Sequence, residues 1–210
     1  MEKKICFLFD KNNDWIFKYF IREKLDLKFK CEYSFNYERI SRFDLVFVLG
    51  YMKILGKDFL RSNKLVLLVH ASDLPYGKGF APLQWQILDK KNKIPIVLLE
   101  MDKKVDSGSI FLKDQIILKG NELNDEIREK QAEATFKLIK RFLKKHPKIK
   151  SYKQKGKETF FRKRNSFDHK LDIKKSIIEQ FNILRISDNE KYPAYFEFKN
   201  KKYILKIFKK

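Results

Sequence analysis

Two continuous apolar runs constrain the fold of this 210-residue chain most strongly. Asp44–Gly50 (DLVFVLG) and Lys64–His70 (KLVLLVH) each hold large aliphatic or aromatic residues in succession, without a polar residue at every second position. Such runs are typical of parallel strands covered on both faces, because a strand with one solvated face alternates polar and apolar residues. Segments with helical spacing lie between the apolar segments. The sequence therefore predicts an α/β fold with an open, doubly wound and mostly parallel sheet.

The remaining segments extend this core. Further strands are predicted at Lys4–Phe9, Lys28–Phe35, Ile94–Glu100 and Ser109–Leu118, and helices at Asp14–Lys24, Phe80–Leu88 and Asn121–Lys145. Asn121 and Asn124 compete as N-cap of the long helix, and His146-Pro147 ends it. We therefore expect residues 1–150 to form a Rossmann-like core.

A short extension follows this core. The polar, lysine-rich stretch Pro147–Lys157 contains Gly156 and is interpreted as a linker. Beyond it, the pattern predicts a helix over Asp172–Ile186 and a closing hairpin of Tyr195–Phe198 with Tyr203–Phe208. We expect residues 151–210 to pack on the core as this helix-plus-hairpin extension.

A polar motif follows the second apolar run. His70 ends the predicted strand, residues 71–82 (ASDLPYGKGFAP) carry two glycines, and Val105–Gly108 (VDSG) places an acid near a third. In open α/β sheets, ligands collect beyond the carboxyl ends of the strands. A histidine there can donate to a developing oxyanion or accept a proton, and a carboxylate can hold its ring. The motif predicts an active site around His70 and Asp106.

This motif resembles the active-site core of the folate-dependent formyltransferases, the family that holds methionyl-tRNA formyltransferase and the sugar-nucleotide N-formyltransferases. Ser72-Asp73-Leu74-Pro75 is most similar to the short sugar-modifying members, such as the formyltransferase of the pseudaminic-acid pathway. The resemblance continues in Phe160–Arg164, Asn182–Arg185 and Tyr192–Phe196. It implies the formyltransferase fold, N10-formyltetrahydrofolate as cofactor and a nucleotide-linked amino sugar as substrate.

The resemblance also assigns the site residues. It places the catalytic histidine and aspartate on His70 and Asp106. Residues expected at the folate are Tyr51, Leu68, Gly79 and Gly108, and residues expected at the substrate are Ser72, Asp73, Lys78 and Arg185. Asp73 as a local turn cap is an equally weighted alternative. Arg162, Arg164 and Asn182 are, with Arg185, further candidates for a diphosphate or sugar contact. Solvated surface charge is the alternative for Arg162 and Arg164.

One position departs from the family pattern. The wider family has an asparagine two residues before the histidine, where its amide binds the oxyanion, and this chain has Leu68. A leucine side chain cannot donate a hydrogen bond. Ser72, a backbone N–H of the loop and an ordered water are the candidate replacements. A catalytically impaired homologue is the alternative.

Composition restricts the partners. The formal net charge of +21 suits a phosphate-rich partner, but the lysines are spread along the chain, so a pure nucleic-acid-binding module is disfavoured. Cys6 and Cys31 form no CxxC pair, and His146 and His169 lack metal-ligand spacing, which predicts reduced thiols and no metal. With no apolar run of roughly 20 residues and no secretion signal, we expect a cytoplasmic protein without membrane insertion.

These patterns predict an N-formyltransferase that modifies the amine of a nucleotide-activated amino sugar, of the 4-amino-4,6-dideoxy hexose type, for surface glycan biosynthesis. One alternative is formylation of an aminoacyl group on tRNA or on a peptide carrier, although the short chain counts against tRNA. Another is a folate- or nucleotide-binding homologue without catalysis, motivated by Leu68. The resemblance is compatible with a homodimer.

Overall fold

A computed structural model describes residues 3–23 and 31–210. The strands are β1 (Ile5–Phe9), β2 (Cys31–Ser34), β3 (Leu45–Leu49), β4 (Val66–His70), β5 (Lys78–Gly79), β6 (Lys93–Glu100), β7 (Ile110–Ile117), β8 (Phe160–Phe161), β9 (Ala194–Phe198) and β10 (Lys201–Leu205). The α-helices are α1 (Phe17–Glu23), α2 (Lys57–Arg61), α3 (Pro82–Leu88), α4 (Asn124–Lys145) and α5 (Phe181–Arg185). Lys24 and residues 28–30, which belong to a predicted helix and a predicted strand, lie outside the described residues.

The central sheet has six strands in the order β2-β1-β3-β4-β6-β7. Strands β1 to β4 pair in parallel, whereas β6 and β7 are antiparallel to their neighbours. The predicted α/β, Rossmann-like fold is confirmed, with a mixed sheet in which three of the five strand pairings are parallel. The connection of residues 101–109 explains the last pairing, since a short loop can join only antiparallel neighbours.

Both faces of the sheet are covered, which explains the continuous apolar runs. Alternate residues of β1, such as Phe7, pack on one face with α1 and α4, while Leu8 packs on the other face beside Phe59 of α2. Phe47 meets Phe142 of α4 edge to face at 6.0 Å between ring centroids. The long helix is therefore held against the centre of the sheet by aromatic packing.

The two cysteines follow the same alternation. Cys6 packs on the α2 face, while Cys31 packs against the opposite face. Both are free thiols, and burial raises the pKa of Cys6 to about 12. The thiol of Cys6 is therefore neutral at physiological pH.

The C-terminal residues contain less helix than the sequence predicts. The predicted helix Asp172–Ile186 is wrong over its first half, and only a 3-10 turn (Ile178–Gln180) and α5 form. Gln180 is the reason, because its buried amide accepts from Asp172 N at 2.6 Å and donates to the Asp172 carbonyl at 3.0 Å. These side-chain bonds satisfy backbone groups that a helix would have used.

Helix and hairpin ends show how local chemistry sets the boundaries. The long helix begins at Asn124, and neither Asn121 nor Asn124 caps it; the carboxylate of Glu126 accepts the N–H of Leu123 at 2.9 Å. The predicted hairpin is confirmed as β9 and β10. Lys199 and Asn200 have φ angles of +46° and +59° between these strands, as a two-residue hairpin turn requires.

The described part of the chain contains no helix with both the length and the apolar character that crossing a bilayer requires.

Candidate active site

The loop that follows β4 is tied down by the C-terminal part of the chain. β5 in this loop pairs in parallel with β8, and Phe80 N–H donates to the Phe161 carbonyl at 3.1 Å. Thr159 adds two contacts, accepting Gly77 N–H on Oγ1 at 2.8 Å and Lys78 N–H on its carbonyl at 2.9 Å. Residues separated by about 80 positions in sequence therefore form one rigid loop.

His70 and Asp106 meet beneath this loop, as the motif predicts. The distance from His70 Nδ1 to Asp106 Oδ2 is 3.5 Å, and both side chains are buried. His70 Nε2 lies 2.7 Å from the Gly77 carbonyl oxygen. Because a carbonyl oxygen can only accept, Nε2 is the protonated ring nitrogen and donates this hydrogen bond to the Gly77 carbonyl. The ring is thereby fixed with its Nδ1 edge towards the carboxylate.

Asp106 is held in an uncommon backbone conformation. Its φ angle is +49°, in the left-handed region, and its Oδ2 accepts the N–H of Gly79 at 2.8 Å. Gln154 donates to the Asp106 carbonyl at 2.8 Å and to the Gly108 carbonyl at 2.9 Å. Gln154 lies in the predicted linker, so this segment stabilises the turn that presents the carboxylate.

The two glycines assigned to the cofactor are required by the protein itself. A Cβ on Gly79 would lie 2.5 Å from the Phe161 carbonyl oxygen, and one on Gly108 would lie 1.8 Å from that of Glu100. Gly79 also has a φ angle of +92°. Close approach of neighbouring backbone therefore explains both glycines without a ligand.

Tyr51 and Leu68 form an apolar wall near His70. Both are half-buried and pack with Met101 against the same cluster on the α2 face of the sheet. Tyr37 meets Tyr51 edge to face at 6.5 Å. Burial, assisted by the charge of Asp10, raises the pKa of Tyr51. The two side chains therefore present an apolar surface close to the end of β4.

The structure shows which hydrogen-bond donors of the loop are already engaged, and so cannot replace the asparagine amide that is missing at Leu68. Tyr76 N–H donates to the Asp73 carbonyl, and the N–H groups of residues 77–80 all donate to Thr159, Asp106 or Phe161. The Ser72 hydroxyl is fully buried and has no hydrogen-bond partner in the described part of the chain. The His70 Nε2–H, once released from Gly77, is a further candidate donor.

Lys78 lies with its ammonium group at a cavity of about 470 Å³. The residue is 1% exposed, yet its Nζ donates to Ser107 Oγ at 2.7 Å and to Glu158 at 2.6 Å. Met101 and Gly108 also line this cavity. Hydrogen bonding to the ammonium lowers the pKa of Glu158. The structure thus brings Lys78 next to the Asp106 turn with its charge paired.

The other assigned substrate contacts lie apart. Asp73 is exposed and forms an ion pair with Lys113 at 2.7 Å, which raises the pKa of Lys113. Ser72 is sealed from solvent, as described above. Neither side chain makes a hydrogen bond to His70 or Asp106 among the described residues.

The assignment of Arg185 to the substrate is wrong. Its guanidinium is buried, pairs with Glu122 at 2.9 Å and donates to Asn92 at 3.1 Å. Asn92 precedes Val97, the β6 partner of His70, by five residues, roughly 17 Å along a strand. Arg185 therefore links α5 to the core, and each of its three guanidinium nitrogens donates a hydrogen bond within the protein.

Within the described ranges, no group of three or more His, Cys, Asp or Glu side chains is arranged to hold a metal ion.

Comparison with known proteins identifies the class. Residues 18–143, more than half of the chain, match the formyl transferase family. A methionyl-tRNA formyltransferase of Caldicellulosiruptor saccharolyticus is 35% identical over 112 residues, covering 53% of this chain and 36% of that protein. One from Fusobacterium nucleatum is 30% identical and covers 68% of this chain and 47% of that protein. The chain spans about a third to a half of the length of these curated relatives.

The chain therefore belongs to the formyl transferase family, whose formyl donor is N10-formyltetrahydrofolate. Solved structures share the fold. Methionyl-tRNA formyltransferase from Clostridium thermocellum has a TM-score of 0.80 at 20% identity, covering 96% of this chain and 90% of that one. A 4-N formyltransferase from Francisella tularensis has a TM-score of 0.68 at 18% identity, covering 98% and 97%. HypX from Aquifex aeolicus, solved with tetrahydrofolic acid, has a TM-score of 0.72 at 15% identity, covering 99% and 38%.

Proposed function

We propose that this protein transfers the formyl group of N10-formyltetrahydrofolate to the amine of a nucleotide-activated amino sugar. The observation that carries the proposal is the buried pair of His70 and Asp106, 3.5 Å apart, in a member of the formyl transferase family. Sugar N-formyltransferases such as those from Francisella tularensis and Shewanella share the fold over 97% of their own chains. A 4-amino-4,6-dideoxy hexose, made in the cytoplasm for a surface glycan, is the substrate class proposed.

Asp106 is proposed to accept the proton of the attacking amine as the new C–N bond forms. The bond between the formyl carbon and N10 of the folate breaks, and that nitrogen takes up a proton in return. Oδ2 of Asp106 is held by Gly79, while Oδ1 has no hydrogen-bond partner among the described residues. A carboxylate oxygen with a free lone pair next to the reacting nitrogen can act as general base. The positive φ angle of Asp106 and the contacts of Gln154 keep this oxygen in place.

His70 is proposed to stabilise charge on the formyl oxygen. When bound, the folate supplies the formyl group, and the wall of Tyr51 and Leu68 gives its ring an apolar surface. Because His70 Nε2–H donates to the Gly77 carbonyl, it must release that carbonyl before it can donate to the substrate. A small shift of the loop therefore accompanies the reaction.

A specific observation supports a second candidate. The curated relatives cited above and the solved structure with a TM-score of 0.80 are named methionyl-tRNA formyltransferase. Formylation of an aminoacyl group on tRNA or a carrier uses the same donor and the same attack by an amine. The two proposals differ only in the molecule that carries the amine. A non-catalytic folate-binding role, suggested by Leu68, is the third outcome of the test.

Mass spectrometry of amino acceptors tests these proposals. The purified protein is incubated with N10-formyltetrahydrofolate and, separately, UDP- and dTDP-linked amino sugars and methionyl-tRNA. We expect a formyl mass gain on one amino sugar. Asp106→Asn should slow it by about 10²–10⁴-fold, the usual contribution of a general base. Asp125→Asn, which changes an exposed carboxylate, is the matched control.

Gain on methionyl-tRNA alone would replace the sugar proposal with the aminoacyl one. Folate binding without turnover on any amine would establish the non-catalytic alternative. Full activity of Asp106→Asn or of His70→Ala would refute the roles proposed for the pair.

A further inference from the structure

A cluster of cations lies between α4 and the C-terminal residues, outside the His70 site. Arg128 of α4 stacks on Trp15, with 4.4 Å between the guanidinium carbon and the ring centroid. Its Nη1 donates to Gln131 at 3.0 Å. Trp15 belongs to a 3-10 helix, Lys11–Ile16, that follows β1. Arg128 is half-buried against Trp15.

Arg164 faces the same region from the C-terminal side. Its Nη2 donates to His169 Nε2 at 3.0 Å, while its Nε is sealed from solvent and has no partner in the described part of the chain. Burial, together with the charge of Arg164, lowers the pKa of His169 to about 4. His169 is therefore a neutral acceptor and adds no counter-charge.

The two guanidinium groups lack a carboxylate partner. Among the described residues neither forms an ion pair: Asp168 is bonded to Arg162, Asp188 accepts backbone N–H groups, and both carboxylates act on the arginines only from beyond ion-pair distance. The pKa of each arginine is lowered to about 10, mainly by burial and, for Arg128, also by the charge of Arg164. Buried cations are normally paired, so an anion from outside the chain would complete this cluster.

The cluster lies at the same edge of the sheet as the formyl-transfer site. Asn13, in the turn that carries Trp15, donates to the Gly50 carbonyl at 2.7 Å. Gly50 follows β3, and the register of β3 and β4 places it beside His70. A single turn thus connects the cations to the end of β4.

We infer that Arg128 and Arg164 form an anion subsite that binds the diphosphate of the nucleotide-activated substrate. This inference rests on the proposed function and adds the part of the site that holds the nucleotide end of the substrate, which stays attached to the sugar throughout the reaction. Arg128 Nη2 and Arg164 Nη1 make no hydrogen bond within the described residues, so each guanidinium can donate to an oxygen of a diphosphate. The indole of Trp15 stacks against the guanidinium of Arg128 and keeps it in position.

Isothermal titration of the full chain with sodium pyrophosphate, and separately with inorganic phosphate, tests the subsite. We expect pyrophosphate to bind more tightly than phosphate. Arg128→Gln and Arg164→Gln should each raise the pyrophosphate dissociation constant at least tenfold. Arg22→Gln removes an exposed arginine on neighbouring α1, paired with Glu129, and is the matched charge control with unchanged binding expected.

The outcomes separate this inference from the proposed function. Absence of pyrophosphate binding by the wild-type protein, or equal binding by Arg128→Gln, Arg164→Gln and Arg22→Gln, would overturn the subsite even if an amino sugar is formylated. Binding that depends on Arg128 and Arg164 supports the subsite even if no sugar is formylated. Arg128→Lys, which keeps the charge but loses the planar fork, should bind with intermediate affinity and serves if the glutamine variant does not fold.

Discussion

Thr159 connects the C-terminal segment to the loop that orients His70. Its Oγ1 accepts a hydrogen bond from Gly77 N–H, and the carbonyl of the same glycine accepts a hydrogen bond from His70 Nε2. One hydroxyl oxygen thus fixes the peptide next to the His70 ring. The family resemblance carries no signal for this residue, because Thr159 lies in a polar stretch far from the motif in sequence.

The hydroxyl of Thr159 is predicted to matter for the rate. Thr159→Val keeps the shape of the side chain but leaves Gly77 N–H unpaired, which costs about 1–3 kcal/mol and loosens the loop. We expect kcat for formyl transfer to fall about tenfold, with KM for the folate changed less. Thr159→Ser retains the acceptor and should stay close to wild type. Equal rates for the valine and serine variants, measured at saturating substrate, would contradict this role.

The sequence identified the pair at the centre of the site but few of its supports. His70 and Asp106 were predictable because a strand end and a short motif carry them. Gln154 was not, since a glutamine in a lysine-rich segment has no local pattern that marks it. Gly79 and Gly108 were predicted as folate contacts, whereas the structure shows that the backbone of Phe161 and Glu100 excludes a side chain there.

At the scale of elements, α5 is attached to the core by one buried ion pair. Glu122 accepts the N–H groups of Lys119 at 2.6 Å and Gly120 at 3.0 Å as well as the guanidinium of Arg185. Burial alone would raise the pKa of Glu122, but these N–H groups and the arginine lower it. The pair therefore stabilises the fold above the unfolded pKa of about 4.3, and this contribution is lost as the pH falls below it.

Neutralising Glu122 is predicted to destabilise the protein without changing substrate affinity. Glu122→Gln leaves the cation of Arg185 buried beside a neutral amide, and we expect a loss of about 3 kcal/mol in the free energy of unfolding. The double variant Glu122→Gln/Arg185→Met removes that charge and should recover part of the loss. Urea unfolding at pH 7 measures both effects. A raised KM for the amine substrate in the double variant would instead restore Arg185 to the substrate site.

Element types were predictable where burial dictates the pattern. The apolar runs of β3 and β4 are covered on both faces, so their sequence reflects one environment. The direction of β6 and β7 was not predictable, because a run of apolar residues is the same in both directions. The helix predicted from Asp172 does not form for another reason. The side-chain amide of Gln180 bonds to the backbone N–H and carbonyl of Asp172 in place of helical hydrogen bonds.

At the scale of the whole molecule, the excess of positive charge destabilises the folded state and at the same time attracts polyanions. A formal net charge of +21 on 210 residues produces self-repulsion in the compact state. The same field draws polyanions towards the sheet edge where Arg128 and Arg164 lie. Most of the lysines act at a distance, whereas the two arginines are placed to make contact.

These two effects predict different responses to salt. Raising sodium chloride from about 10 mM to about 150 mM shortens the Debye length from about 30 to about 8 Å, so the melting temperature should rise by a few degrees in every variant. Pyrophosphate at the same ionic strength should raise it further in the wild type and in Arg22→Gln, because a bound anion stabilises the folded state. Arg128→Gln should show the chloride response alone, since only specific binding depends on that guanidinium. An equal additional rise in Arg128→Gln would mean that pyrophosphate acts through screening or exclusion from the surface, and a fall with sodium chloride would mean that attractive ion pairs outweigh the repulsion.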